Sequence, residues 1–325
     1  MKPRCFAPFA LAISLAIAAP HARAAETVKF LLPTVTELPS FAPWVLAKSE
    51  GYYAAEGLDV QFLVGRGGVD VATQVGAGNA DMGEATGDTT IFVRGNGVPV
   101  KTVAVLGGGG LMQLVVRDDS GIKDLKGLRN KQVAVIAYAD STYYIFQGML
   151  ATVGMTKNDV KAQAVGIAAV MQLVSNNTMP AGVCNPECAT TIQQNVPGVK
   201  IYLSSDYTPS MAQAMVASDK MIAQRPEVIR KVERAVYRSW SEIRKDPVKM
   251  AGVYVAAVPS HHGQEAYLGR VFQNYDKWVY SGKQTKTWAM DPERLSKLED
   301  LYLSQGVIPK KIPVDELYTN DFLPQ

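Results

Sequence analysis

The residues best placed to do chemistry in this sequence are polar side chains that follow short apolar runs. In the first part of the chain they are Thr36 and Glu37, then Arg66, Gly67 and Gly68, then Glu84, Thr86 and Asp88. Further on they are Tyr138, Ser141, Thr142 and Tyr143, and later Asn185 and Glu187. Phe41 and Trp44 accompany the first set, and Tyr144 accompanies the second. Such a mixture suits capture of a small solute. Hydroxyls, an amide, carboxylates and a guanidinium fix its polar atoms, while rings pack on its body. Nearly every group precedes an expected helix, whose first N–H groups and dipole receive anionic or polar atoms. Thr86, Asp88, Ser141 and Thr142 are also ordinary helix N-caps. The weight lies in the recurrence of polar, glycine-bearing loops in both halves, which implies a cleft between them.

Catalytic patterns are sparse. Beyond His21, the histidines are His261 and His262, adjacent after Pro259, with no nucleophile pattern pointing to them. No GxSxG, HExxH or Walker-type GxxxxGK[ST] run occurs. Gly107–Gly110 lacks the lysine of a phosphate-cradling loop. It reads equally as a hinge between lobes or as a loop packed tightly on a neighbour. Cys184 and Cys188 are too few to hold zinc alone. They are expected to form a local disulfide or to remain two free thiols. No metal or cofactor is expected.

Charge narrows the solute. Arg66 is the sole arginine in the expected site loops, against Glu37, Asp70, Glu84, Asp88, Asp140 and Glu187. A bare dianion would meet repulsion there. A solute with an anionic end plus amino or ring groups fits better. In that reading Arg66 and helix N-termini hold a carboxylate or sulfonate, and Tyr138 or Tyr143 packs on the remainder.

Alternating strands and helices position these loops. Strands are expected at 28–32, 58–64, 80–82, 98–106 and 111–117, then at 131–137, 160–165 and 199–203, with 211–217 running back towards the first lobe. Helices are expected at 41–49, from Asp70, before Gly95, at 143–153 and at 167–174, with Gly83–Asp88 as a loop. The last third is helical: Pro226 suits a first turn, and Val228, Ile229, Val232, Ala235, Val236, Trp240 and Ile243 repeat at helical spacing. A further helix is expected over 292–305. The pattern is an α/β protein of two parallel-sheet lobes, one made of 25–110 and 213–325, the other of 111–212. Ligands of such sheets bind beyond the C-terminal strand ends.

The N-terminus sets an expected compartment. Lys2 and Arg4, an apolar run from Phe6 to Ala19, and Ala22-Arg23-Ala24 form the pattern of a cleaved secretory leader over 1–24. The run is shorter than the roughly 20 apolar residues of a membrane span. Residues 1–24 hold Lys2, Arg4 and Arg23 and no acid, so cleavage turns 33 basic and 30 acidic residues into 30 of each. A neutral chain without basic clusters argues against nucleic-acid binding. A soluble periplasmic monomer is expected.

Three segments carry a resemblance to a known family. Glu50-Gly51-Tyr52-Tyr53-Ala54-Ala55-Glu56-Gly57-Leu58-Asp59-Val60 resembles the "kGyyeeeGLdV" signature of NMT1/THI5-like, SsuA/TauA-type substrate-binding proteins. Val115–Leu128 resembles their "vvrkdsgiksledLkGk" segment, and Gly78–Gly83 their "G.aDig" turn. The resemblance implies a type II periplasmic binding fold, in which two lobes joined by two crossover strands close on a solute. It also implies docking on an ABC permease driven by an ATPase. Relatives carry nitrate, sulfonates, taurine, pyrimidine precursors, riboflavin or aromatic acids, so the fold does not name the cargo. Pyrimidine-binding relatives commonly carry a tryptophan after the first strand, where this chain has Pro33. A periplasmic enzyme or a ligand-sensing module on the same fold is the alternative.

Overall fold

The computed structural model describes residues 24–138 and 140–324. The expected leader lies, save Ala24, outside the described residues. Two five-stranded sheets organise the chain. The first contains β1 (Glu26–Leu32), β2 (Leu58–Val64), β3 (Met82–Thr86), β4 (Val100–Val105) and β10 (Gln213–Ser218), in the order β2-β1-β3-β10-β4. The second contains β5 (Gln113–Arg117), β6 (Gln132–Val135), β7 (Lys161–Ala164), β8 (Ala181–Cys184) and β9 (Val199–Leu203), in the order β7-β6-β8-β5-β9. Interior strands are mostly apolar, as in sheets buried on both faces. All six residues of β10 and all five of β3 are buried.

The sheets are mixed rather than purely parallel. β1 pairs in parallel with β2 and β3, and β6 with β7 and β8, whereas β10 and β5 run antiparallel to both their neighbours. The physical reason is the route of the chain. It leaves β4 at the end facing the cleft and enters the second sheet from the cleft side, so β5 must run against its neighbours. The return from β9 to β10 repeats this in the first sheet. Two other differences bear on the site. Gly83–Thr86 is strand rather than loop, so Glu84 projects from β3. Ala181–Cys184 forms a strand that its short, small-residue sequence did not signal.

Beyond β10 the chain is helical. The helix Pro226–Lys245 starts with proline at its first turn and Glu227 nearby, and ends with Arg244 and Lys245, each complementing the helix dipole. It buries Val228, Ile229, Val232, Ala235, Val236, Trp240 and Ile243, each large apolar side chain stabilising by about 1.5–3 kcal/mol. Helices Pro247–Ala257, Glu265–Tyr275 and Pro292–Ser304 follow. Among the described residues no helix is long and apolar enough to cross a membrane.

The two crossings between the sheets, 106–112 and 204–212, bond to one another and to the strand ends. Leu111 N donates to Met211 O (3.0 Å), and Leu106 N donates to Gln213 O (2.8 Å). The glycine run Gly107–Gly110 is both a crossing and a tight contact. A Cβ at Gly107 would fall on the Val279 carbonyl oxygen, and one at Gly109 on that of Trp278.

Candidate functional site

A cleft of about 500 Å³ opens where the crossings meet the C-terminal ends of the parallel strands. That volume is within the range of roughly 300–1,000 Å³ typical of small-molecule sites. The first sheet's loops contribute Leu38, Phe41, Arg66, Gly67 and Gly68. The second sheet's contribute Ile136, Ser141, Thr142, Ile167 and Asn185. Glu84 and Thr86 of β3, with Leu111 from the outgoing crossing and Gln213 at the start of β10, complete the lining. Gly67 holds φ +93°, a conformation that favours glycine, and caps the helix Gly68–Gly76.

Glu84 is the chemically distinctive group. It is 3 % exposed, and Gln213 Nε2 donates to its Oε1 at 3.3 Å. Gln213 is itself fixed: Nε2 also donates to Ser40 O (2.9 Å), and Tyr280 OH donates to Gln213 Oε1 (3.3 Å). Among the described residues Oε2 of Glu84 has no hydrogen-bond donor. Burial pushes the Glu84 carboxyl well above the usual carboxylate range. The negative charges of Asp140 and Glu187 push the same way, against the Gln213 bond. Of the described lining residues only Arg66 is basic, and it is exposed at the rim.

Nine of the residues expected from sequence line this cleft: Phe41, Arg66, Gly67, Gly68, Glu84, Thr86, Ser141, Thr142 and Asn185. Six do not. Thr36 is half-buried outside the lining, and Glu37 is exposed. The Glu37 carbonyl accepts from Tyr254 OH (2.8 Å) and from His261 Nε2 (2.7 Å). Asp88 is wholly buried beneath Thr86 and takes a 2.5 Å bond from Tyr302 OH. Burial raises its carboxyl in spite of that bond. Tyr138 is 52 % exposed and donates to Ala162 O (3.0 Å). Tyr143 belongs to the second lobe's core with Phe146 and Met149. Neither tyrosine therefore walls the cleft as expected, and Leu38, Phe41, Leu111, Ile136 and Ile167 supply its apolar surface. Glu187 stands just behind the lining. Its carboxylate accepts from Asn185 Nδ2 (2.9 Å) and from Tyr275 OH (2.7 Å). Burial raises its carboxyl too, against those two bonds.

Asp140 and Asn185 cap the helices Ser141–Ala151 and Pro186–Asn195. Cys184 and Cys188 are bonded, their Cα atoms 5.5 Å apart, which staples the first turn that carries Asn185 and Glu187. Among the described residues no three His, Cys, Asp or Glu side chains group as a metal would require. Sequence reasoning missed Gln213 and, of the apolar walls, Leu38, Leu111, Ile136 and Ile167. The one available signal was a glutamine inside the apolar run Met211–Val216.

Two α/β lobes around a cleft at their crossings define the periplasmic-binding-protein fold, and solved structures agree. The periplasmic aliphatic sulphonate binding protein SsuA from Escherichia coli superposes with a TM-score of 0.73 at 14 % identity, covering 90 % of this chain and 97 % of that one. The family model described as NMT1/THI5 like matches residues 38–250, and the chain belongs to that family. The riboflavin-binding protein RibY of Chloroflexus aurantiacus is 24 % identical, over 94 % of this chain and 90 % of its own length. The 4-amino-5-hydroxymethyl-2-methylpyrimidine phosphate synthase THI11 of Saccharomyces cerevisiae is 23 % identical, over 86 % of this chain and 88 % of its own.

Proposed function

We propose that this protein is the solute-binding receptor of an ABC importer. It captures a small organic solute in the periplasm and delivers it to a membrane permease and its ATPase. The observation that carries this reading is a cleft lined by both lobes and floored by the crossings between them. A solute bound there touches both lobes, so its binding energy favours the closed arrangement, the form a permease can distinguish from the empty one.

Of sulfonates, carboxylates and nitrogen heterocycles, the cleft favours the last. Its walls are largely apolar, and among the described lining residues its buried ionisable group is an acid with one oxygen free to take a donor. An anion at that depth meets Glu84, with Arg66 out at the rim. A ring N–H or amino group satisfies the carboxylate instead, and leaving a buried carboxylate unpaired is costly. Riboflavin and an aminopyrimidine, named in the two relatives above, both carry such edges.

A catalytic reading has the synthase names of the yeast relatives in its favour. Against it, the two cysteines are tied to each other and His261 is engaged with Glu37 outside the cleft. A thermal-shift screen of the mature protein tests the proposal, with riboflavin, 4-amino-5-hydroxymethyl-2-methylpyrimidine, benzoate and the sulfonate MOPS as probes. A heterocycle at a hundredfold excess over its dissociation constant adds about 2.7 kcal/mol of stability. Stabilisation by MOPS alone contradicts the preference. Chemical conversion of a bound probe, read by mass spectrometry, contradicts the receptor reading.

A further inference from the structure

Arg294 lies in the first turn of the helix Pro292–Ser304. The Asp291 side chain caps that turn, accepting from Glu293 N (3.0 Å) and Arg294 N (3.2 Å). The guanidinium reaches the crossings, and its acceptors are main-chain carbonyls of both. Nη1 donates to Gly108 O (2.7 Å) and Nη2 to Gly109 O (2.9 Å) on the outgoing crossing. Nε donates to Pro209 O (3.1 Å) and Nη2 to Ser210 O on the returning one. A guanidinium is flat, always charged, and holds its five N–H donors in a fixed fork. Four carbonyls bound to one rigid plane are held at set separations.

The outgoing crossing is also held elsewhere along its length. Gly109 N donates to Val279 O (2.9 Å), and Gly107–Gly109 lie against the backbone of Trp278–Gly282 with no room for a Cβ. Leu111, two residues beyond Gly109, and Gln213, three beyond Ser210, form the cleft floor.

We propose that Arg294 is a positioning residue for solute capture. It binds the two crossings into one hinge element, so that Leu111 and Gln213 keep their spacing as the lobes open and close. The link to capture rests on the receptor reading above; the link to the hinge does not.

The test is hydrogen exchange of the ligand-free protein, wild type against R294K. Lysine keeps the charge and the aliphatic stem, but as a compact ammonium it does not span both crossings. The expected result is about tenfold faster exchange at the amides of Leu106, Gly109 and Leu111, the scale of one lost charge-assisted hydrogen bond. The amides of β1, β2, β6 and β7 should be unchanged. Spin labels at exposed positions 73 and 163 should show a broader inter-lobe distance distribution in R294K. Faster exchange confined to the helix Pro292–Ser304, or an unchanged distance distribution, would mean that Arg294 only anchors its own helix, and would overturn the proposal. If R294K does not fold, wild-type exchange decides. The amides of Leu106, Leu111 and Gly87, which donate to the carbonyls of Gln213, Met211 and Ala212, should open together, and widely different opening rates overturn the proposal. No solute enters these measurements. A failed solute screen therefore leaves the hinge claim standing, and an unchanged hinge leaves the receptor reading standing.

Discussion

Glu84, beside the start of β10, and Arg294, on the crossings, are ionisable side chains that the chain treats differently. Arg294 meets four carbonyl oxygens, two from each crossing. Glu84 meets a single amide N–H, itself shared with Ser40. Burial lowers the Arg294 guanidinium, with the charges of Asp291 and Asp88 in opposition. Burial raises the Glu84 carboxyl, with the Gln213 bond in opposition and the charges of Asp140 and Glu187 adding to the rise. The difference separates two uses of a polar group. One paired through four of its five donors serves the fold, whereas one left half-paired beside a cleft is open to a partner from outside.

The largest expected effect lies on the paired side. G109A places a methyl on the Trp278 carbonyl, with no flexible side chain to move away. Overpacking of this kind costs about 1–3 kcal/mol, and a backbone obstacle puts it at the upper end. Urea unfolding of G109A measures it. A midpoint equal to that of wild type would show that the crossing is loosely held and would weaken the contrast.

A smaller effect is expected at Glu84, with its sign set by pH. Its folded-state carboxyl titrates above its unfolded one, so its contribution to stability is present below the unfolded pKa and is lost as pH rises through the folded value. The solute-free wild type should therefore lose stability as pH climbs from the carboxylate range towards neutrality. E84Q should remove that share of the slope and be more stable than wild type at neutral pH. Parallel stability–pH curves for the two proteins would show that Glu84 has a partner after all.

The smallest effect is expected at Arg66, an exposed charge that needs no partner to be satisfied. R66A should change affinity for a neutral heterocycle by less than about threefold, in keeping with the weak energetics of exposed charges. A larger loss, read by calorimetry, would move the solute's anionic end to the rim and restore the role that sequence reasoning gave to Arg66.

The sequence carried most of the scaffold because apolar periodicity and glycine or proline punctuation are local signals. The strand Leu58–Val64 and the helix Pro226–Lys245 follow from them directly. It carried the cleft where a loop residue precedes a helix, as at Gly67, Gly68, Ser141 and Asn185. It failed where position depends on distant packing. Asp88 has the look of an exposed cap, yet it is buried because Tyr302, far along the chain, closes over it. Tyr138 and Tyr143 sit beside the right loop, but side-chain direction sends one to Ala162 and the other into the core. The glycine run could not be assigned because its neighbour, Trp278–Gly282, is remote in sequence. Gln213 was hidden in the otherwise apolar run Met211–Val216.

Under the proposed function, the half-paired Glu84 is the acceptor for a donor-bearing solute. Side-by-side calorimetric titration of wild type and E84Q with riboflavin and with MOPS tests this most directly. Expected are one-to-one binding of riboflavin to wild type, about tenfold weaker binding to E84Q, the scale of one lost hydrogen bond, and MOPS binding that is no weaker in E84Q than in wild type. Equal riboflavin affinity in the two proteins, or tight MOPS binding that requires Glu84, would contradict it.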